Sequence, residues 1–539
     1  MTGVAPRAII WFEGSSARRQ NLSRQARSKS ARERVETAQM KIVLISTYEM
    51  GRQPFGLASP AAWLREAGAE VTCVDVSRQP LPDAAIRAAG LIAFYVPMHT
   101  ATLLAVALLP AVREMNPGAR LCFYGLYAPV NETYLRGLGV DFILGGEFEE
   151  TLSAIVKALA PGNGARFSSG AKAPSQSTLS LPEMKPCLPA GRLRPPRNRA
   201  PEVRSATTSL ARQKFRVPDR AGLPPLEKYA RLLMPDGDSR IAGYTEASHG
   251  CKHLCRHCPI VPVYNGVFRI VDRDVVLEDI RRQVAAGAQH MAFGDPDFFN
   301  GIGHAIPLVE ALHREFPQLT YDVTIKIEHL LKHRDSLPKL RNTGCLFVTS
   351  AVESVDDAVL ETLAKDHTRA DFLRVIELFR EAGLTLAPTF VAFTPWTTLE
   401  SYCDLLETIR GQDLIQSVPP IQLAIRLLIP AGSRLLELQS VQKIIEPFDE
   451  KQLVYPWKHA DSRVDALGQR LQEIVHAGER MKLGRERIFE RIEQAAYEAA
   501  GRAYVKPAGY QGDAEWPLPA MPALASRAAI PYLNEPWYC

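Results

Sequence analysis

The chain has 539 residues, of which 46% are hydrophobic and 23% charged, a composition typical of folded multidomain proteins that excludes a disordered chain. Its longest strongly apolar stretch, residues 101–112, contains Pro110 and is far shorter than a bilayer span, so we expect no membrane contact. The 64 basic and 59 acidic residues give a net charge of only +5, which argues against nucleic acid as a partner.

The nine cysteines are an odd number and few for this length, so a disulfide-stapled secreted protein is not expected. We therefore predict a cytoplasmic protein. Residues 1–39 are rich in Arg and Ser without an apolar core, which predicts a disordered extension rather than a secretory signal. This extension resembles a transit peptide in composition. Alternatively, Met40, which directly precedes the first strand pattern, is the true start.

Residues 40–160 alternate between buried-strand runs and helical spacers. The predicted strands are 41–46, 70–76, 91–96, 119–125 and 140–145. This alternation predicts a doubly wound parallel sheet, whose ligands sit at the carboxyl ends of the strands.

A second alternating block follows a linker, 161–215, that is dense in Pro, Gly and Ser. Residues 216–440 carry six predicted strands, at 241–248, 290–295, 319–327, 345–351, 384–393 and 421–429. Helical stretches separate them, which predicts a partial (β/α)6 TIM-type barrel with its chemistry at the carboxyl-end loops. Residues 441–520 are predicted to be helical, and residues 521–539 form a Pro-rich tail. The predicted fold class is α/β for both sheet-containing domains, followed by a helical C-terminal region.

Cys251, Cys255 and Cys258 form a C-x3-C-x2-C array on the loop after the first barrel strand. Three thiolates there can each hold one iron of a [4Fe-4S] cluster, which leaves the fourth iron open to chelate an amino acid moiety. The alternative is a Cys3His zinc site in a non-catalytic binding or sensing protein, completed by His249, His253 or His257.

These motifs together resemble a radical S-adenosylmethionine (SAM) enzyme over about residues 244–436. The resemblance implies that the cysteines bind the cluster and that SAM is cleaved reductively for a radical-based modification of an unknown substrate. Such an enzyme is a transferase or oxidoreductase that uses a reductant such as flavodoxin or ferredoxin. Gly294–Asp297 resembles the motif that receives the SAM amino group, Ser350–Ser354 a segment near the ribose, and Ile429–Ser433 the sixth-strand turn.

The resemblance assigns SAM contacts to five residues, His257, Gly294, Asp295, Glu353 and Ser354. His257 stands where the family usually has an aromatic residue near adenine. We expect Asp295 and Glu353 at the carboxyl ends of neighbouring strands, facing the cluster. On this view an Asp295→Ala variant weakens SAM binding and leaves the iron content intact.

The N-terminal sheet resembles the cobalamin-binding domain that precedes many radical SAM barrels, and Gly145–Glu149 looks like that domain's closing strand-end motif. Cobalamin would then serve alkyl or methyl transfer. No D-x-H-x-x-G motif offers a lower axial histidine, so a bound cobalamin and a cofactor-free scaffold both remain open. The residues that the resemblance places at cobalamin are Thr47, Met98, Gly125, Gly145 and Glu147.

The chain ends in Trp537, Tyr538 and Cys539 after a Pro-rich segment. This ending resembles a radical SAM subfamily whose tails carry a Cys–Cys or Cys–selenocysteine pair. We expect Cys539 either to bind a soft substrate atom or close a redox step, or to be an ordinary terminus.

Overall fold

The computed structural model describes residues 39–160 and 213–504, together with the backbone of residues 532–533. Almost all of the predicted extension and linker lie outside the described residues. The predicted tail role of Cys539 also lies outside them.

The first sheet is the predicted doubly wound parallel sheet. Its strands are β1 (Lys41–Ser46), β2 (Glu70–Asp75), β3 (Leu91–Tyr95), β4 (Arg120–Tyr124) and β5 (Phe142–Leu144). They pair in the order β2-β1-β3-β4-β5, all parallel. Five of the six residues of β1 are buried, as expected for a strand covered on both faces by helices.

Helices on both faces of this sheet bury two separate apolar clusters. The helices are α1 (Phe55–Glu66), α2 (Asp83–Ala88), α3 (His99–Met115), α4 (Tyr127–Val130), α5 (Glu132–Gly137) and α6 (Glu149–Leu159).

The second sheet is a curled half-barrel. Its strands are β6 (Arg231–Leu233), β7 (Ser239–Thr245), β10 (His290–Phe293), β11 (Thr320–Thr324), β12 (Cys345–Glu353), β13 (Thr385–Phe390) and β14 (Tyr532–Leu533). The order is β13-β12-β11-β10-β7-β6-β14. Within this sheet, β7, β10, β11, β12 and β13 are parallel, whereas β6 and β14 add antiparallel strands at one edge.

The helices of this half are α7 (Val261–Tyr264), α8 (Arg273–Ala285), α9 (Ile302–Glu315), α10 (Ile327–Lys332), α11 (Leu337–Asn342), α12 (Asp357–Leu363), α13 (Arg369–Ala382), α14 (Leu399–Gly411), α15 (Gln439–Gln442), α16 (Ser462–Arg480) and α17 (Arg485–Ala499). Short 3₁₀ helices cover Leu226–Lys228, Phe298–Gly301, Arg334–Ser336, Pro420–Ala424 and Arg434–Glu437. Among the described residues, no helix has both the length and the apolar character needed to cross a bilayer.

The predicted sixth barrel strand, 421–429, is wrong in its extent. Pro420–Ala424 is a 3₁₀ helix, and the only parallel pairing of this segment within the described residues is a bridge between Phe393 and Arg426. Pro419 and Pro420 fix their backbone angles and supply no N–H for a ladder, so the chain cannot enter the sheet as a regular strand there.

The two domains pack directly on one another through the segment that follows the linker. Arg220 donates to both carboxylate oxygens of Asp279 on α8, at 3.1 and 2.9 Å, and to the carbonyl of Tyr244 at the end of β7. It also donates to the side chain of Gln53 in the N-terminal domain, at 3.2 Å. Because the Asp279 side chain is 1% exposed, Arg220 is the cation that makes its burial tolerable.

We expect Arg220→Met to destabilise the chain by about 3–5 kcal/mol, because it leaves the buried Asp279 carboxylate without a counter-charge. The measurement is the midpoint of urea unfolding. Arg374→Met, at an exposed pair with Glu377 on α13, is the matched control and should leave that midpoint unchanged. Equal midpoints for the two variants would contradict this role of Arg220.

Candidate active site

The three clustered cysteines lie on a loop that a short antiparallel ribbon holds closed. The ribbon consists of β8 (Ser248–Gly250) and β9 (Phe268–Ile270), and Gly250 pairs with Phe268. We call residues 251–260 the cysteine loop. Gly250 has a φ of +72°, and a Cβ there would lie 2.4 Å from the carbonyl oxygen of Val267. Glycine is therefore required in the turn that leads into the loop.

Cys255 is buried, Cys251 and Cys258 are partly buried, and none of the three forms a disulfide within the described residues. Burial raises the pKa of Cys258 to about 12, and the nearby thiols of Cys255 and Cys251 raise it as well. Burial also raises the pKa of Cys251. A hydrogen bond that the Asn300 side chain donates to its Sγ at 3.5 Å lowers this pKa but does not outweigh burial. The raised pKa values of Cys251 and Cys258 favour their protonated forms in the absence of a metal.

The separation of the sulfurs distinguishes between the two metal centres that the sequence allows. A tetrahedral zinc site with Zn–S bonds of about 2.3 Å brings its sulfurs to within about 4 Å of one another. In the part of the chain that the structure describes, the groups of metal-ligating atoms lying within 4.8 Å of one another contain no cysteine. Wider spacing suits a cubane, in which each thiolate holds a different iron. Among the described residues, the three cysteine sulfurs are therefore not gathered at the mutual spacing of a tetrahedral zinc site.

Asp295, just after β10, holds the start of the ribbon that precedes the cysteines. Its Oδ2 accepts from the backbone N–H of Ala247 at 2.9 Å, and its Oδ1 accepts from the hydroxyl of Ser248. Burial raises the pKa of Asp295 to about 6, although both of these hydrogen bonds lower it. The neighbouring Gly294 must lack a side chain because a Cβ would overlap the ring of Tyr244.

Glu353, the last residue of β12, holds the other end of the cysteine loop. Its Oε1 lies 3.1 Å from Nε2 of His257 and 3.4 Å from Nζ of Lys365. Burial alone would raise the pKa of Glu353, but Lys365 and His257 outweigh it and lower the pKa to about 2. Glu353 also has a φ of +70°, the left-handed backbone conformation that side chains rarely adopt. The hydroxyl of Ser354 accepts from the N–H of Asp356.

The expectation that Asp295 and Glu353 lie on neighbouring strands is wrong, since β11 lies between β10 and β12 in the sheet. They reach the same loop because the loop crosses the carboxyl edge of the half-barrel. Glu353 contacts the loop itself at His257, whereas Asp295 contacts Ala247 and Ser248 just before it.

A third buried carboxylate, Glu147, contacts the same region from the N-terminal domain. It lies 3.2 Å from Nδ1 of His249 and accepts from the hydroxyl of Tyr264 at 3.0 Å. Burial lowers the pKa of His249, but Glu147, Glu246 and Glu149 outweigh it and raise that pKa to about 10. These carboxylates favour the protonated form of His249, which lies between the two domains, two residues before Cys251.

The five residues predicted at cobalamin are already used by the protein itself. The hydroxyl of Thr47 donates to the carbonyl of Ala101 at 2.8 Å, and the Met98 side chain packs against the apolar core of the sheet. A Cβ on Gly125 would lie 3.0 Å from the carbonyl of Val96, and one on Gly145 would lie 2.2 Å from Pro129. All five residues follow strands of the first sheet at its carboxyl edge, where a doubly wound sheet takes its ligands.

The sequence analysis missed a second group of polar side chains beside the cysteine loop. Asp297 Oδ2 lies 3.4 Å from Nε2 of His253 and 2.6 Å from Nδ1 of His329, which is on α10. Burial raises the pKa of Asp297, but His253 and His329 outweigh it and lower the pKa to about 2. Lys365 and Asn300 were missed as well. Asp297 had a signal because it stands in the quoted Gly294–Asp297 motif, and His253 because it stands in the cysteine array.

The half-barrel matches a known protein family. Residues 245–410 match the model of the radical SAM superfamily. A tRNA-2-methylthio-N(6)-dimethylallyladenosine synthase from Desulfosudis oleivorans is 22% identical over 52% of this chain and 61% of its own length. The hopanoid C-3 methylase of Methylococcus capsulatus is 24% identical over 28% of this chain and 29% of its own. The chain thus spans less than two thirds of the length of these curated relatives.

Solved structures share the arrangement of both domains. The cobalamin-dependent SAM radical enzyme OxsB, with aqua-cobalamin and SAM bound, aligns with a TM-score of 0.61 at 12% identity, over 86% of this chain and 72% of its own. The radical SAM methyltransferase TsrM from Kitasatospora setae, with cobalamin and a [4Fe-4S] cluster bound, aligns at 0.51 with 17% identity, over 69% of this chain and 70% of its own. This chain therefore has the fold of those enzymes, and its residues 245–410 form a domain of the radical SAM superfamily.

Proposed function

We propose that this chain binds a [4Fe-4S] cluster through Cys251, Cys255 and Cys258 and cleaves SAM reductively. A radical SAM domain implies this cluster and SAM as its cofactors. The observation that carries the proposal is the set of three free cysteines, one buried and two partly buried, on a loop at the carboxyl edge of the half-barrel. The cluster, when bound, supplies one electron that breaks the C5′–S bond of SAM, giving methionine and a 5′-deoxyadenosyl radical.

The chain's own residues fix the geometry around this chemistry. Glu353 orients the ring of His257, which supports a contact between that ring and the adenine of SAM. The backbone N–H of Arg256 donates to the carbonyl of Leu363 at 2.9 Å, which fixes the loop between the second and third cysteines against the end of α12. A loop fixed in this way needs little reorganisation when a cluster binds.

The electron comes from an external donor, and a cytoplasmic flavodoxin or ferredoxin fits this requirement. The unbridged cysteines suit a reducing compartment. We also propose cobalamin as a second cofactor for alkyl or methyl transfer, which the cobalamin-bound enzymes that share this fold support. The substrate is set by barrel loops and is left open.

We expect Cys251→Ala, Cys255→Ala and Cys258→Ala each to reduce SAM cleavage to the enzyme-free background, because two thiolates cannot hold the cubane with one iron open. The measurement is 5′-deoxyadenosine released by anaerobically reconstituted protein given dithionite and SAM. Cys345→Ala is the matched control, since Cys345 is buried at the start of β12 and its Sγ faces the carbonyl of Phe347. A fully clustered wild-type protein that releases no 5′-deoxyadenosine would refute the proposal.

We further expect Asp295→Asn to lower the iron content, with SAM cleavage falling in proportion. An asparagine can accept from Ala247 and donate its amide to the Ser248 oxygen, but these neutral hydrogen bonds are weaker than the two that the carboxylate accepts. The measurement is iron per chain beside the dissociation constant for SAM. Asp322→Asn, which loosens a buried contact to His290 within the barrel, should keep its iron. Full iron with weaker SAM binding in Asp295→Asn would instead support the role in binding the SAM amino group.

A further inference from the structure

Three side chains from three different elements converge beside the cysteine loop. They are His253 of the loop, Asp297 after β10 and His329 on α10, and we call them the His–Asp–His group. Their nearest nitrogen and oxygen atoms, Nε2, Oδ2 and Nδ1, all lie within 4.8 Å of one another. Asp297 is 2% exposed and His329 8%.

Among the described residues, these three atoms have no partner in a well-formed hydrogen bond, although each is buried. Nδ1 of His329 is 2.6 Å from Oδ2 of Asp297, yet the angles there are not those of a hydrogen bond. Three buried polar atoms that face one another without a partner carry a desolvation cost. A cation between them removes that cost.

The rest of each side chain is fixed so that these atoms stay free. Oδ1 of Asp297 accepts from the N–H of Phe299 at 3.2 Å, which leaves Oδ2 for the group. The rings of His253 and His329 are 4.8 Å apart and inclined by 60°, so that two ring nitrogens converge from different directions.

We propose that the His–Asp–His group binds a divalent first-row transition ion, at a second metal site separate from the cysteines. Two imidazole nitrogens and one carboxylate oxygen are a donor set that suits such ions and leaves coordination positions open for an oxygen or nitrogen donor of a substrate. The site lies next to the proposed cluster because His253 stands between Cys251 and Cys255. It does not rest on the proposed function, since it uses no thiolate.

The ammonium group of Lys326 must move when a metal binds to the His–Asp–His group. Its Nζ lies 3.0 Å from Nδ1 of His253. When Nε2 of His253 binds a metal, the ring proton sits on Nδ1, so the ammonium group has to turn away. Glu328 and Asp366 lie 3.4 and 3.3 Å from the same Nζ and can receive it.

The test uses the reconstituted full chain, with Zn²⁺ as the probe because such sites bind zinc more tightly than ferrous iron. After anaerobic cluster assembly the protein is equilibrated with Zn²⁺ and desalted, and zinc and iron per chain are measured by mass spectrometry. Zinc K-edge X-ray absorption then reports the ligand atoms. We expect one zinc per chain, with nitrogen and oxygen ligands at about 2.0–2.1 Å and no sulfur.

Asp297→Asn and His329→Asn should each lose this zinc and keep their iron. His304→Asn is the matched control, because its Nε2 is also buried without a partner but lies outside the group, and it should keep both metals. The inference is overturned if no zinc is retained, if the zinc has sulfur ligands, or if Asp297→Asn and His329→Asn both retain it. Loss of cluster iron in the wild type would test the proposed function instead, so the two failures can be told apart.

Discussion

Three buried carboxylates determine where the cysteines lie. Asp295 holds the ribbon before Cys251, Glu353 holds His257 beside Cys258, and Glu147 holds His249 from the neighbouring domain. A buried carboxylate is costly unless hydrogen bonds or cations satisfy it. Each of these three is satisfied by a group on or next to the cysteine loop, so disturbing the loop would leave a carboxylate unpaired. This dependence makes the loop rigid without a disulfide.

The need to satisfy a buried carboxylate also links the N-terminal domain to the cysteine loop. Glu147 stands in the strand-end motif that resembles a cobalamin-binding motif, yet its carboxylate contacts His249 and Tyr264 of the half-barrel. Gly145 in that motif lies against Pro129 of its own domain and Val263 of the other. The edge where a doubly wound sheet ordinarily takes a ligand is, at these residues, a contact between domains. The domain thus helps to fix the cysteine loop whatever else it binds.

Much of the fold could be predicted because buried parallel strands leave a clear pattern. The run from Lys41 to Ser46 was predicted with the bounds that the structure has, since a strand covered on both faces is almost wholly apolar. The sixth barrel strand failed because Pro419 and Pro420 override an apolar run.

The contacts between site residues from distant segments could not be predicted from the sequence. The cysteine array could be found by spacing alone, but the partners of Asp295, at Ala247 and Ser248, depend on how two distant segments meet in space. His253 and His329 are 76 positions apart in the sequence and carry no motif that joins them. Only the topology, which brings the ends of β7, β10 and β11 to one edge, places them together.

The central claim is that the three thiolates hold a cubane whose fourth iron is open to SAM. Mössbauer spectroscopy of ⁵⁷Fe-reconstituted protein, recorded with and without SAM, tests it most directly. The account predicts four irons per chain, one of which changes its isomer shift when SAM is added while the other three do not. A spectrum that SAM leaves unchanged, or iron that never assembles into a four-iron cluster, would contradict it.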